Sequence, residues 1–148
     1  MATFVIVGAG LAGAKAAQTL REEGFDGEIV LIGAETERPY ERPPLSKGFL
    51  QGKSEREKIF VHAAGWYAEH DIDLRLGLRA TRLDLGSRTV RLSDGSRQPY
   101  QKLLIATGSS PRRLPGPARY LRTVQGRADE RDQAGFGGGA VPESDHAA

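Results

Sequence analysis

The chain opens on an unbroken apolar run, Phe4 to Val7, and a second such run follows at Ile29 to Ile32. Runs of this kind suit parallel strands covered on both faces, because a half-exposed strand would alternate polar and apolar positions. Between them, Gly13, Ala17, Leu20 and Gly24 recur at spacings of 4, 3 and 4, the stripe of a helix whose small residues let it lie close against a strand. Gly24 is placed to end that helix. Strand, helix and strand in this order predict a parallel βαβ unit.

Farther along, the pattern predicts a short helix around Ala63 to His70, carrying Trp66 and Tyr67 inward or against the nearby prolines, and a strand over Ile72 to Leu76. The stretch "LRATRLDLGSRTVRLSDGSRQPYQ" alternates, which predicts two short strands joined at Gly86-Ser87 and then an Asp94-Gly95 turn. This is a β-meander inserted after the second strand. The run Leu103 to Ala106 is expected as a buried strand that stops at Thr107-Gly108, placing main-chain N–H groups at the carboxyl edge of a parallel sheet, where open α/β folds bind ligands. Pro111, Pro115 and Pro117 then close off regular structure. Residues 124–148 have no apolar periodicity and three consecutive glycines, so they are expected to be disordered.

Composition narrows the chemistry. With 148 residues, 39% hydrophobic and 27% charged, the chain is globular in class and about one domain in size. It has no cysteine, which excludes disulfides, zinc–thiolate sites and a CxxC redox pair, so any redox chemistry needs a cofactor. No apolar run approaches the roughly 20 residues of a membrane span, and the N-terminus lacks a basic leader, so a cytoplasmic location is expected. The net charge is +2, but residues 1–123 hold 19 basic and 14 acidic residues, a balance of +5 that favours anionic cofactors or acidic protein partners. No basic run interleaved with aromatics points to nucleic acid. His62 and His70 have no acidic or nucleophilic partner pattern around them and read as packing or surface residues, and no metal-ligating cluster stands out.

Two stretches carry more specific chemistry. Gly8, Gly10 and Gly13 form G-x-G-x-x-G directly after a strand and at the start of a helix. The first glycine allows the tight turn, the second lets a pyrophosphate touch the backbone, and the third permits helix–strand packing. The helix N-terminus then faces the phosphates. Glu35 lies 22 residues beyond Gly13, at the end of the second strand, where a carboxylate accepts hydrogen bonds from ribose hydroxyls and repels a ribose phosphate. An unphosphorylated adenosine, as in FAD or NAD, is therefore expected. The second stretch is "RPYERPPLSKGFL", residues 38–50, whose adjacent prolines stiffen a loop bearing Arg42 and Lys47.

Together, "VGAGLAGAKAA", "IGAE", "RPPLSK", "LLIATG" and "YLRT" at Tyr120 to Thr123 stand in an order that resembles the FAD domain of the oxygenase-coupled ferredoxin reductases of the putidaredoxin reductase and rubredoxin reductase type. The resemblance covers residues 3–123. "RPPLSK" and "YLRT" point to this branch, and "RPPLSK" disfavours a monooxygenase-like flavoprotein, whereas the apoptosis-inducing-factor branch shares much of the architecture. The missing cysteines fit, since the disulfide reductases of the same superfamily use a redox pair.

The resemblance implies a Rossmann-like, FAD/NAD(P)-binding three-layer α/β fold with an inserted β-meander, truncated relative to the family. The FAD-binding domain would span 1–123 and a non-family tail 124–148. It implies that Gly10, Ala12 and Gly13 contact the pyrophosphate, with Gly8 making the cofactor-binding turn, Glu35 the ribose, Ala80 the adenine side through its backbone, and Ala106, Thr107 and Gly108 the cofactor edge. Arg42 and Pro43 would line the flavin edge, Lys47 would sit near the reactive flavin nitrogen, where a cation stabilises negative charge, and Arg122 would touch the cofactor. Arg112 and Arg113 match nothing firm and read as a solvated pair.

The implied reaction is hydride transfer from NAD(P)H to FAD and single-electron transfer to a ferredoxin-like iron–sulfur protein. The family continues into a second nicotinamide-binding unit that is not found here, so the tail is expected to be a frameshifted or prematurely stopped reading of a longer gene. NAD(P)H-driven turnover by this chain alone is not expected. The alternative is an inactive dinucleotide-binding fragment or a module dependent on a partner chain, and the oligomeric state stays open.

Overall fold

The computed structural model describes residues 1–110. A parallel sheet is built from β1 (Thr3–Val7), β2 (Glu28–Ile32), β3 (Ile72–Arg75) and β7 (Lys102–Ile105), in the order β3-β2-β1-β7. Helix α1 (Leu11–Glu22) connects β1 to β2, and a single-turn helix α2 (Trp66–Glu69) precedes β3. Strands β4 (Ala80–Asp84), β5 (Thr89–Leu92) and β6 (Arg97–Pro99) form a separate antiparallel sheet, the expected meander.

Alternation along the two central strands explains the layering. Val5 pairs with Val30 and Val7 with Ile32, and these four pack against Val90 and Leu92 of the meander. Ile6, Ile29 and Leu31 point the other way, into a cluster with Ala17 of α1, Tyr67 of α2 and Ile72. Each face of β1 and β2 thus has its own cover, which is why their sequence shows no polar alternation. The result is a three-layer α/β arrangement whose outer layers are a helix and a small sheet.

Arg21 ties the bottom of this arrangement together. Its guanidinium donates to the carbonyls of Phe25 (2.6 Å), Gly27 (2.8 Å), His70 (2.8 Å) and Asp71 (2.7 Å). One cation thereby satisfies carbonyls at the exit of α1, the entry to β2 and the entry to β3, where Asp71 adopts a φ of 52°. Gly24, at φ 78°, follows the helix-ending Glu23, so the glycine sits one position past the cap.

Several expectations shift in detail. The helix expected over Ala63 to His70 is regular only over Trp66–Glu69, and the strand expected over Ile72 to Leu76 ends at Arg75. Of the two placements expected for Trp66 and Tyr67, the inward one holds: Tyr67 is buried and Trp66 packs against the same cluster, stacked between His62 (3.7 Å between centroids) and His70 (4.2 Å). The Leu103–Ala106 run is not a buried strand. Among the described residues, β7 spans Lys102–Ile105 at the sheet edge beside β1, with Leu104 44% and Ile105 62% exposed. Periodicity reports that a run is apolar; it does not report whether a neighbour covers it. Pro111, Arg112, Arg113, Pro115, Pro117, "YLRT" and residues 124–148, on which expectations were stated, lie outside the described residues.

The histidine stack carries a pH dependence. Burial, then the positive charges of Lys15 and His70, lower the His62 pKa below its ordinary value, against a smaller opposing effect of Glu22. The folded state therefore prefers neutral imidazole, so His62 adds stability above the unfolded pKa of about 6.5 and loses it as pH falls through the lower folded value. Trp66, the chain's sole tryptophan, reports unfolding by fluorescence. The urea midpoint should fall between about pH 7 and pH 5.5, and His62→Phe, which keeps an aromatic ring in the stack, should show less of that fall. An equal fall in the variant would contradict the assignment.

Candidate functional site

The carboxyl ends of β1, β2 and β7 open into one cleft of about 550 Å³. From β1 the chain proceeds outward through β2 and β3, then returns to the other side of β1 as β7. The cleft therefore lies where strand order reverses, the position at which open parallel sheets bind ligands.

The turn from β1 into α1 forms its floor. Gly8 has a φ of 117°, and a Cβ there would lie 2.2 Å from the Ala106 carbonyl oxygen, so both conformation and the approach of the β7 end require glycine. Gly13 is buried in α1, and a Cβ would lie 1.9 Å from the Gly8 carbonyl oxygen. It does not line the cleft; its place is the seam between helix and strand. Gly10 differs from both. Its φ of −90° suits any residue, and a Cβ there would meet nothing within 4 Å. It is the N-cap of α1, where Ser or Asn would cap better, yet no side chain caps this helix and its first turn holds no acid. The first-turn amides have no carbonyl of their own helix to bond. Open ground at Gly10 beside uncapped amides is a cradle shaped for an anion that touches backbone.

Glu35 stands on the opposite wall, just beyond β2 and Gly33. One carboxylate oxygen accepts from the Tyr40 hydroxyl (2.7 Å) and the other from Arg42 (3.0 Å). Each oxygen keeps acceptor capacity for a further donor such as a sugar hydroxyl. The Arg42 and Glu35 side chains are 74% and 50% exposed, so their pair orients both groups more than it stabilises the fold. Glu37 lines the same wall, which makes it unfavourable to a second phosphate.

The cleft lining gathers Gly8, Gly10, Ala12, Glu35, Arg42, Ala80, Ala106, Thr107 and Gly108 from the residues singled out in the sequence. Pro43 and Lys47 are not in that lining. Pro43 starts a 3₁₀ turn, Pro43–Ser46, and exposed Lys47 ends it, its amide donating to the Pro44 carbonyl at 3.1 Å. Arg122 lies outside the described residues. Ala80 reaches the cleft at a register shift between Ala80 and Arg82, a local irregularity of the kind that re-aims a strand end.

Sequence reasoning missed Tyr40, Leu78 and Arg79, which also line the cleft. Leu78 and Gly77 are drawn there by amide bonds to the carbonyls of Gly33 (2.9 Å) and Glu35 (2.9 Å). These bonds bridge distant positions, and no local pattern announces them. Tyr40 was within reach, since it sits inside the proline-rich motif.

The glycines make a sharp prediction. Gly10→Ala should leave stability unchanged to within about 0.5 kcal/mol while hindering any ligand held by the first-turn amides. Gly13→Ala should cost about 1–3 kcal/mol, because the seam must open to admit a methyl group. Urea unfolding of the two variants checks this, and equal destabilisation would show that Gly10 too is needed for packing.

Comparison with known proteins agrees with this geometry. The family model described as pyridine nucleotide-disulphide oxidoreductase matches residues 2–137. The ferredoxin–NAD(+) reductase component of an anthranilate 1,2-dioxygenase system from Burkholderia cepacia is 46% identical over 127 residues, covering 82% of this chain and 31% of the relative. Rhodocoxin reductase from Rhodococcus erythropolis is 40% identical over 128 residues, covering 82% and 30%. Among solved structures, the putidaredoxin reductase chain of a covalent putidaredoxin reductase–putidaredoxin complex superposes with a TM-score of 0.75 at 41% identity, over 77% of this chain and 27% of that one. The chain thus spans about three-tenths of the length of the curated relatives it matches. With a matched model over most of its length and a β1–α1 turn built to its pattern, the chain belongs to the pyridine nucleotide-disulphide oxidoreductase family.

Proposed function

We propose that this chain is the FAD-holding part of an NAD(P)H-dependent reductase of the ferredoxin reductase type, which passes electrons to a small iron–sulfur protein. The observation that carries the reading is Gly10: fold and packing leave its position free for a side chain, and the uncapped amides beside it suit a pyrophosphate. Names of the relatives support the electron-transfer class, since they are reductase components that act on ferredoxin or rhodocoxin.

In this reading Gly8, Gly10 and Ala12 give the pyrophosphate a backbone cradle, with Gly13 acting through packing. Glu35 accepts from the adenosine ribose, and the backbone at Ala80 bounds the adenine. Ala106, Thr107 and Gly108 border the cofactor, while Arg42, held by Glu35 at 3.0 Å, stays at the ribose end instead of the flavin edge, and the turn that starts at Pro43 leads on toward the flavin. Lys47, five positions beyond Arg42 on a stiff turn, is proposed to bring its cation to the flavin and favour negative charge there. Bound flavin would supply the exchange between two-electron and one-electron chemistry that no side chain provides. The described residues hold one G-x-G-x-x-G, so NAD(P)H turnover and docking of the iron–sulfur carrier are proposed for an assembly with a second dinucleotide-binding unit. Among the described residues, no helix is long and apolar enough to cross a membrane.

A second reading, a non-catalytic dinucleotide-binding module completed by another chain, is favoured by the exposed β7 edge with Leu104 and Ile105. Absorbance between about 350 and 500 nm, taken after gel filtration with added FAD, separates the two, because cofactor occupancy is the premise of flavin chemistry. Two retained flavin bands are expected, and Glu35→Ala should weaken retention by about tenfold, the loss of a hydrogen bond to a charged acceptor. A protein that retains no FAD would overturn the flavin reading.

A further inference from the structure

Among the described residues, the backbone hydrogen bonds of the proline-rich segment run largely within the segment itself. Among residues 42–54, the amides of Leu45, Lys47, Phe49, Gln51, Gly52, Lys53 and Ser54 all donate to carbonyls between Arg42 and Phe49. The segment is a self-bonded lobe. It joins the body through a neck in which Tyr40 bridges antiparallel to Phe60, with Glu41 N donating to Ile59 O (2.7 Å) and Val61 N to Pro39 O (2.9 Å).

Two reciprocal ion pairs brace that neck. Glu37 pairs with Arg56 at 2.6 Å, and Arg38 pairs with Glu57. Acid precedes base on one side of the neck, and base precedes acid on the other. The Arg38 guanidinium also lies 3.5 Å from the centre of the Phe60 ring, and its side chain is 19% exposed. Arg38 therefore sits between an aromatic face and a carboxylate, a partly desolvated setting in which charge pairing is worth more than on open surface. Its charge is also felt at Tyr67, whose phenol is pushed up to about 12 by burial against a smaller lowering by Arg38.

We propose that Glu37, Arg38, Arg56 and Glu57 form a positioning clasp that fixes the angle of the 42–54 lobe, and with it the presentation of Arg42 and Lys47 toward the cleft. The inference deepens the flavin reading and rests on it for what the lobe is presented to. Glu37 supports it by serving both structures, since it lines the cleft and holds Arg56. None of the four needs to touch the cofactor; they act through the lobe.

Charge exchange tests the clasp on the whole chain. Glu37→Arg, Arg56→Glu and the double exchange are digested with the lysine-specific protease Lys-C, and cleavage after Lys47 and Lys53 is compared with cleavage after Lys15 in α1. Either single reversal should raise lobe cleavage about three- to fivefold relative to Lys15, the double exchange should restore it within about twofold, and high salt should shrink the contrast. Glu37→Gln, run in parallel, removes the pair without reversal in case a reversed variant fails to fold. Flat lobe cleavage, an equal rise at Lys15, or no recovery in the double exchange would overturn the clasp. FAD release, followed by flavin fluorescence, should speed up in the single variants and recover in the double. If the wild-type chain retains no FAD while the cleavage pattern holds, the flavin reading falls and the clasp stands.

Discussion

The contact on which the rest depends is the seam between Gly13 and the carbonyl of Gly8. A side chain at Gly13 would come to 1.9 Å of that oxygen, so α1 lies as close to the end of β1 as backbone allows. That closeness sets the start of the helix directly above the carboxyl edge of the sheet and leaves its first amides facing the cleft. A Cβ at Gly13 would also lie 3.2 Å from the Leu31 side chain, which couples the helix to β2 as well. Any widening would move the proposed anion cradle away from Glu35, just beyond the neighbouring strand.

Around that seam the fold solves two separate problems with two separate devices. Burial of both faces of β1 and β2 holds the layers, with Val5, Val7, Val30 and Ile32 on the meander side and Ile6, Ile29 and Leu31 on the helix side. Polar groups settle the ends. Arg21 satisfies four carbonyls at one end of the sheet, and the bonds from Gly77 and Leu78 to Glu35 and Gly33 shape the other. The apolar devices set where the strands lie; the polar ones set where the functional side chains emerge.

Both apolar devices were legible in the sequence. Two unbroken runs, a small-residue stripe and an alternating segment sufficed for β1, α1, β2 and the meander, because each follows from local periodicity. The glycine motif and Glu35 were legible for the same reason. What the sequence did not reveal depends on neighbours. Leu103 to Ala106 reads as buried, but among the described residues β7 is an edge strand, and its apolar character says nothing of what lies beside it. Leu78 and Arg79 reach the cleft through bonds between distant positions, to Gly33 and Ser93. Even the crossed pairs of the neck join residues 19 positions apart, a spacing with no helical or strand period to betray it.

The most direct measurement is a two-dimensional ¹H–¹⁵N spectrum of the labelled chain with added FAD and, separately, with riboflavin, which lacks the pyrophosphate. If the first turn of α1 is the anion cradle, the amides of Gly10, Leu11 and Ala12 shift strongly with FAD and far less with riboflavin. Equal shifts with both ligands, or FAD-induced shifts confined to residues away from the β1–α1 turn, would contradict it.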